Sequence, residues 1–242
     1  MAMAAMLTVG VVSCGKDDEN GNGSGNGGNN GGSGVTDTTG GGNPDPSAWV
    51  DLGLPSGLLW ATCNLGADSP EGYGDYYAWG ETTTKSTYNW STYRYCNGDY
   101  NQLTKYCNIS SLGYNGFTDN LTVLEAMDDA ATQALGSGAR MPTADEWREL
   151  INNTTSTWTT QNGVKGRKFT ASNGKSLFLP AAGRRWVDEL GNAGSFGYYW
   201  SSSLGTGRPD YAWSFSFGSV NQYVNYYYYR NLGLAVRAVR QN

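Results

Sequence analysis

The chain has 242 residues, a formal net charge of -5, 15% charged and 13% aromatic residues, and no histidine. The missing histidine excludes a Ser-His-Asp triad, a Cys-His dyad, His-ligated zinc and any histidine pH switch. An acidic chain without clustered Lys and Arg is not built to bind nucleic acid, and no apolar run reaches the roughly 18 residues that span a bilayer.

The composition divides the chain into three. Residues 1–14 form an apolar run of small residues that ends in Val12-Ser13-Cys14. It is too short to span a membrane and has the character of an export signal, although the usual basic start is missing. Residues 15–48 are mostly Gly, Asn, Ser, Thr and Asp, with no aromatic residue. Such a segment buries too little apolar surface to offset the entropy of ordering, so a flexible tether is expected. The tether sets Lys16 against Asp17, Asp18, Glu19, Asp37 and Asp45. Of the 16 basic and 21 acidic residues in all, this leaves 15 and 16 from Trp49 onward, so the third part is nearly neutral.

Residues 49–242 hold every Trp, Tyr and Phe, enough large rings for one substantial core. Three cysteines remain there, Cys63, Cys96 and Cys107. An exported protein permits a disulfide; Cys96–Cys107 is the expected pair if one forms, with connectivity left open by the sequence. Two stretches read as helix. Asp119 to Leu135 spaces Leu121, Leu124, Ala131 and Leu135 helically, best in its second half from Asp128. In Thr143-Ala144-Asp145-Glu146 the first and last residues form a capping box, followed by Trp147, Leu150 and Ile151 on one face and Asn152-Asn153 as a stop.

The remainder reads as short strands. Lys165–Ala171 and Ser176–Ala181 flank Asn173-Gly174, a hairpin signal. Tyr211 to Phe217 alternates aromatic with Ala or Ser, as a half-buried strand does. Leu234 to Arg240 is expected as one closing strand. Two helices followed by a run of antiparallel strands predict an α+β fold, with two short helices packed on mainly antiparallel short strands.

Several motifs carry a family resemblance. Val12-Ser13-Cys14 resembles a bacterial lipobox, which implies lipidation of Cys14. The Lys16-Asp17-Asp18-Glu19 run that follows resembles the surface-export signal of Bacteroidales-type lipoproteins. Asp37-Thr38-Thr39 resembles a short O-glycosylation sequon of such bacteria. Together these imply a lipid-anchored protein on the outer membrane, facing outward. Arg140-Met141-Pro142-Thr143 with Glu146-Trp147, Tyr199-Trp200-Ser201-Ser202-Ser203, and Gly233 with Val236-Arg237 resemble the formylglycine-generating-enzyme-like branch of the C-type-lectin fold. Gly57 to Asn64 and Tyr76 to Glu81 resemble the Fibrobacter succinogenes major paralogous domain of that fold.

The resemblance implies a C-type-lectin-like domain over most of residues 50–240, but not the family's chemistry. Catalytic members use paired cysteines near the C-terminus, and the last cysteine here is Cys107. The calcium-binding sugar motifs are missing as well. No catalytic residue, metal site or cofactor is therefore expected. Asp75 with Glu81, or Asp188 with Glu189, are the carboxylate pairs that general acid-base chemistry would need. Arg140 and Arg237 are read as holding carbonyls or carboxylates, and Trp147, Trp200 and Trp213 as core.

The informative surface stretch is Gly218 to Leu232. Four successive tyrosines, Tyr226 to Tyr229, cannot all enter one core from a strand. Tyr offers contact area at low entropic cost, and Asn offers hydrogen bonds in either sense. The placement also resembles the variable proteins of diversity-generating retroelements. On that resemblance Tyr199, Trp200, Ser201, Ser202, Arg230, Gly233, Val236 and Arg237 are frame. Asp210, Tyr211, Asn221, Tyr223, Asn225, Tyr226, Tyr227 and Tyr228 are the candidate ligand-binding positions. The expected function is recognition of a protein or glycan ligand by a membrane-anchored module. A structural subunit of a surface appendage is the alternative, and an enzyme related to formylglycine-generating oxidases ranks behind both.

Overall fold

A computed structural model describes residues 49–242. The lipobox with Cys14, the acidic run and the tether over 15–48 lie outside the described residues.

In chain order the strands are β1 (Trp49–Asp51), β2 (Leu59–Ala61), β3 (Tyr76–Tyr77), then helix α1 (Ala130–Leu135), β4 (Ala139–Arg140) and helix α2 (Ala144–Asn152). There follow β5 (Thr154–Gln161), β6 (Val164–Ala171), β7 (Ser176–Pro180), β8 (Arg184–Trp186), β9 (Glu189–Gly191), β10 (Gly197–Leu204), β11 (Tyr211–Phe217), β12 (Gln222–Tyr229), β13 (Leu234–Ala235) and β14 (Val239–Arg240). They form a four-stranded sheet β1-β2-β14-β4, a five-stranded sheet β12-β11-β10-β13-β3, a three-stranded sheet β5-β6-β7 and the hairpin β8-β9. All the paired strands are antiparallel except β10 with β13.

This corrects the α+β expectation. Strand makes up 36% of the structure and helical turns 14%, so the architecture is β-rich. Much of the difference lies in the segment from Asp119 to Leu135. Only Ala130–Leu135 is α-helical, capped by Asp129, whose side chain accepts from the Thr132 amide. The earlier acidic residues serve tertiary contacts instead. Asp119 accepts the amides of Tyr106 and Cys107, and buried Asp128 accepts from Lys105, Tyr95 and Tyr106. Side-chain bonds of this kind compete with the helical backbone. The closing segment is also corrected. It breaks at Val236–Ala238 into β13 and β14, which join different sheets.

The five-stranded sheet is sandwiched between two cores, and strand alternation explains how. Tyr198 and Trp200 of β10 enter one cluster with Trp79, Tyr88 and Leu234. Tyr199 between them enters the other with Trp60, Trp147, Phe215 and Phe217. Gly197 is required at the start of β10, since a Cβ there would sit 2.2 Å from the Phe217 ring.

Helix α2 anchors the second core. Thr143 and Glu146 form the capping box, and Trp147 and Leu150 are buried. Glu146 also accepts two bonds from the Arg140 guanidinium, at 2.7 and 2.6 Å. Burial alone would raise the Glu146 carboxyl, but the Arg140 and Thr143 hydrogen bonds outweigh it and hold the group below its ordinary value of 4.5. A depressed folded-state value stabilises the fold above the ordinary value, and that stability is lost as pH falls through the depressed one. Glu146→Gln keeps a cap acceptor and removes the charge. It is expected to lower stability by about 1 kcal/mol at neutral pH, discounted for the partial exposure of the pair. The deficit should shrink towards zero below the carboxylate range, as measured by urea unfolding of both proteins across pH.

Candidate functional site

Strand β12 is an edge of the five-stranded sheet and pairs only with β11. The register places Tyr223 opposite Ser216, Asn225 opposite Ser214 and Tyr228 opposite Ala212, with an irregularity between the last two pairs. From Ser214 to Ala212 is two residues, whereas from Asn225 to Tyr228 is three. The extra residue is a β-bulge that keeps Tyr228 on the same face as Tyr223 and Asn225. Without it, strict alternation would send Tyr228 to the opposite face.

That face borders an open cleft of about 350 Å³ lined by Asn221, Tyr223, Asn225 and Tyr228 together with Phe196, Tyr198, Ser216 and the Gly218–Val220 turn. Phe196 stacks on Tyr198 at 6.1 Å, and Tyr228 meets Tyr198 edge-on at 5.2 Å. Tyr223 is 55% exposed. Burial, with Tyr198 beside it, pushes the Tyr228 hydroxyl up to about 12, so it remains a neutral donor near pH 7. The side-chain oxygen of Asn225 is buried with no hydrogen-bond partner. Gln222 and Val224 alternate to the other side of β12, and a second hollow lined by Arg148, Ile151 and Asn152 takes in both of them together with Tyr223 and Asn225.

Four of the eight sequence-predicted positions thus come together: Asn221, Tyr223, Asn225 and Tyr228. Tyr226 and Tyr227 lie within β12, but their side chains are outside the described residues. Asp210 and Tyr211 are elsewhere. Asp210 is fully buried, and its carboxylate takes two bonds from Arg208, at 3.0 and 2.7 Å. Tyr211 stacks on Tyr229 at 4.4 Å, and the Arg208 guanidinium lies 4.9 Å from the Tyr211 ring. Sequence reading missed Phe196, Tyr198 and Ser216. Ser195-Phe196-Gly197 carries no pattern of its own, and Tyr198 joins the cleft only because β10 lies two strands from β12.

The residues read as frame are all buried: Tyr199, Trp200, Ser201, Ser202, Arg230, Gly233, Val236 and Arg237. Arg237 donates to the Asn64 side chain and to the carbonyls of Ala61 and Phe178. Trp213 is a partial exception among the expected core tryptophans, because it is half-buried beneath the Arg148 guanidinium at 4.4 Å.

The expected Cys96–Cys107 bridge does not form. The Cys96 thiol donates to the Trp90 carbonyl at 3.1 Å and the Cys107 thiol to the Ile109 carbonyl at 3.2 Å. Burial raises both thiols above their ordinary value, which disfavours the reactive thiolate.

None of the four carboxylates proposed for acid-base chemistry lines the β12 cleft. Glu81 binds Lys85 and the Arg94 amide. Burial raises Asp75, and a Tyr77 hydrogen bond opposes the rise. Asp188 and Glu189 lie exposed on the β8–β9 hairpin. Among the described residues, no group of three His, Cys, Asp or Glu is placed to hold a metal ion. No family model, curated protein or solved structure matches this chain.

Proposed function

We propose that this chain is a non-catalytic recognition module whose ligand, a protein or a glycan, binds in the cleft along β12. The carrying observation is that Asn221, Tyr223, Asn225 and Tyr228 share one face and line one cleft with Phe196 and Tyr198. Adaptable amide hydrogen bonding beside rigid aromatic area is the chemistry of a binding surface. The lipobox resemblance at Cys14 supports a lipid-anchored place on the outer membrane, with the tether holding the module away from it.

The division between buried frame and exposed cleft also supports diversification by a retroelement. Positions such as Tyr223 can change without disturbing a core, whereas Arg230 and Arg237 cannot. Asp210 departs from that pattern because it is buried. Substitutions confined to adenine positions in codons for 211–228 across a population would support this part, and an invariant stretch would remove it.

Tyr223→Ala and Asn225→Ala test the binding reading. Tyr223 is exposed, so its truncation should change stability by no more than about 0.5 kcal/mol. Capture on glycan and protein arrays should nevertheless fall by an order of magnitude, roughly 1.4 kcal/mol. Unchanged capture by both variants would sink the reading.

A further inference from the structure

The β8–β9 hairpin projects beside the cleft. Its tip is Val187-Asp188, and Val187 has φ +57°, a left-handed conformation that β-branched residues avoid. The strain is held by the core. Tyr88, 1% exposed, accepts from the Val187 amide at 3.0 Å and donates its own amide to the Val187 carbonyl at 2.7 Å. Strained backbone of this kind persists where the surroundings over-determine it, often at binding sites.

The tip carries Trp186, which is 63% exposed and is the exposed tryptophan among the described residues. Trp186 lies two residues from Arg184 on β8, so both point to one side of the hairpin. The Arg184 guanidinium lies 5.0 Å from the Tyr198 ring and 5.4 Å from the Tyr228 ring, the two rings at the back of the cleft. Arg185, between them, points away over Tyr76. Trp186 therefore offers a further exposed ring on the side of the hairpin from which Arg184 reaches Tyr198 and Tyr228.

The charge pattern narrows the ligand. The side chains that line the cleft are uncharged: rings, amides, hydroxyls and the aliphatic Val220. On the hairpin, Arg184 and Arg185 balance Asp188 and Glu189. An anionic ligand would gain no net attraction here. A ligand with hydroxyl groups and flat C–H faces would find rings to stack on, donors in Arg184 and the tyrosine hydroxyls, and acceptors in Glu189 and the same hydroxyls.

Resting on the cleft as a binding site, we propose that its ligand is a neutral oligosaccharide chain, with Trp186 as a second stacking station. The test is calorimetric titration of the full chain with neutral cello-, xylo-, malto- and manno-oligosaccharides from disaccharide to hexasaccharide, against oligogalacturonate as the acidic comparator. A displayed peptide library is screened in parallel. At least one neutral series should bind with affinity that rises with chain length. Trp186→Ala should remove that rise, about tenfold for the hexasaccharide, and leave the disaccharide unchanged. Tyr223→Ala should weaken both. A length dependence indifferent to Trp186→Ala, a preference for oligogalacturonate, or no binding by any neutral series would overturn the proposal. If peptides then bind in a Tyr223-dependent way, the cleft reading survives without the sugar. If nothing bound depends on Tyr223, both fall.

Discussion

Replacing Arg230 by alanine is expected to destabilise the protein by about 4 kcal/mol, a large part of the 5–15 kcal/mol typical of a folded domain. Arg230 is fully buried. Its Nε donates to the Tyr93 hydroxyl at 2.9 Å, and its terminal nitrogens donate to the carbonyls of Tyr106, Pro209 and Lys105 at 2.9 to 3.0 Å. The guanidinium also lies 4.9 Å from the Trp79 ring and 5.3 Å from the Tyr93 ring. Carbonyl dipoles and ring faces hold the charge where a carboxylate would be usual. Truncation would orphan several acceptors at about 1–3 kcal/mol each, less whatever water recovers. Lysine should not rescue it, because an ammonium cannot reproduce the planar fork. Urea unfolding of Arg230→Ala and Arg230→Lys measures both. A loss under about 1 kcal/mol would show that water replaces the guanidinium. Arg230 directly follows β12, so the same variants should weaken ligand capture by loosening that end of the strand.

Trp147→Ala is expected to cost about 3–5 kcal/mol, the range for deleting a buried aromatic ring. The ring is fully buried. It stacks on Phe215 at 4.9 Å, lies 4.9 Å from Trp60, and donates its indole N–H to the Trp200 carbonyl at 3.2 Å. Neighbours on strands β2, β10 and β11 are fixed by their ladders and cannot collapse into the void. Trp147→Phe should lose less, since it keeps most of the contact area and forfeits the N–H bond. Thermal unfolding of the two variants would rank them; equal losses would mean that the hydrogen bond, not the ring volume, dominates.

Local signals were legible where a few neighbouring residues decide the outcome. The capping box at Thr143 and Glu146, the Asn173-Gly174 hairpin and the alternating Tyr211–Phe217 strand rest on contacts within a few positions. Asp119 to Asp129 shows the limit: its carboxylates bond to Tyr95, Lys105, Tyr106 and Cys107, up to 33 residues distant, and no helical period reports such partners. The error in fold class has the same origin. Thr154–Gln161 carries strand-favouring threonine but no apolar alternation to mark a buried face, and it becomes a full strand because β6 offers it an eight-residue partner.

The candidate site divides in the same way. Sequence alone determined which residue types would concentrate at the candidate site, because strand alternation keeps Asn and Tyr from Asn221 to Tyr229 from all entering one core. It also separated the buried frame around Tyr199-Trp200 and Arg237 from that stretch. Only the tertiary structure decided which of the eight positions meet. One extra residue at the β12 bulge turns Tyr228 towards Tyr223, a register effect set by pairing with β11. Asp210 is buried and takes the Arg208 fork instead of facing the cleft, and Phe196 and Tyr198 arrive at the cleft through sheet order. Side-chain chemistry is a property of each residue, whereas convergence is a property of strand pairing between residues far apart in the chain.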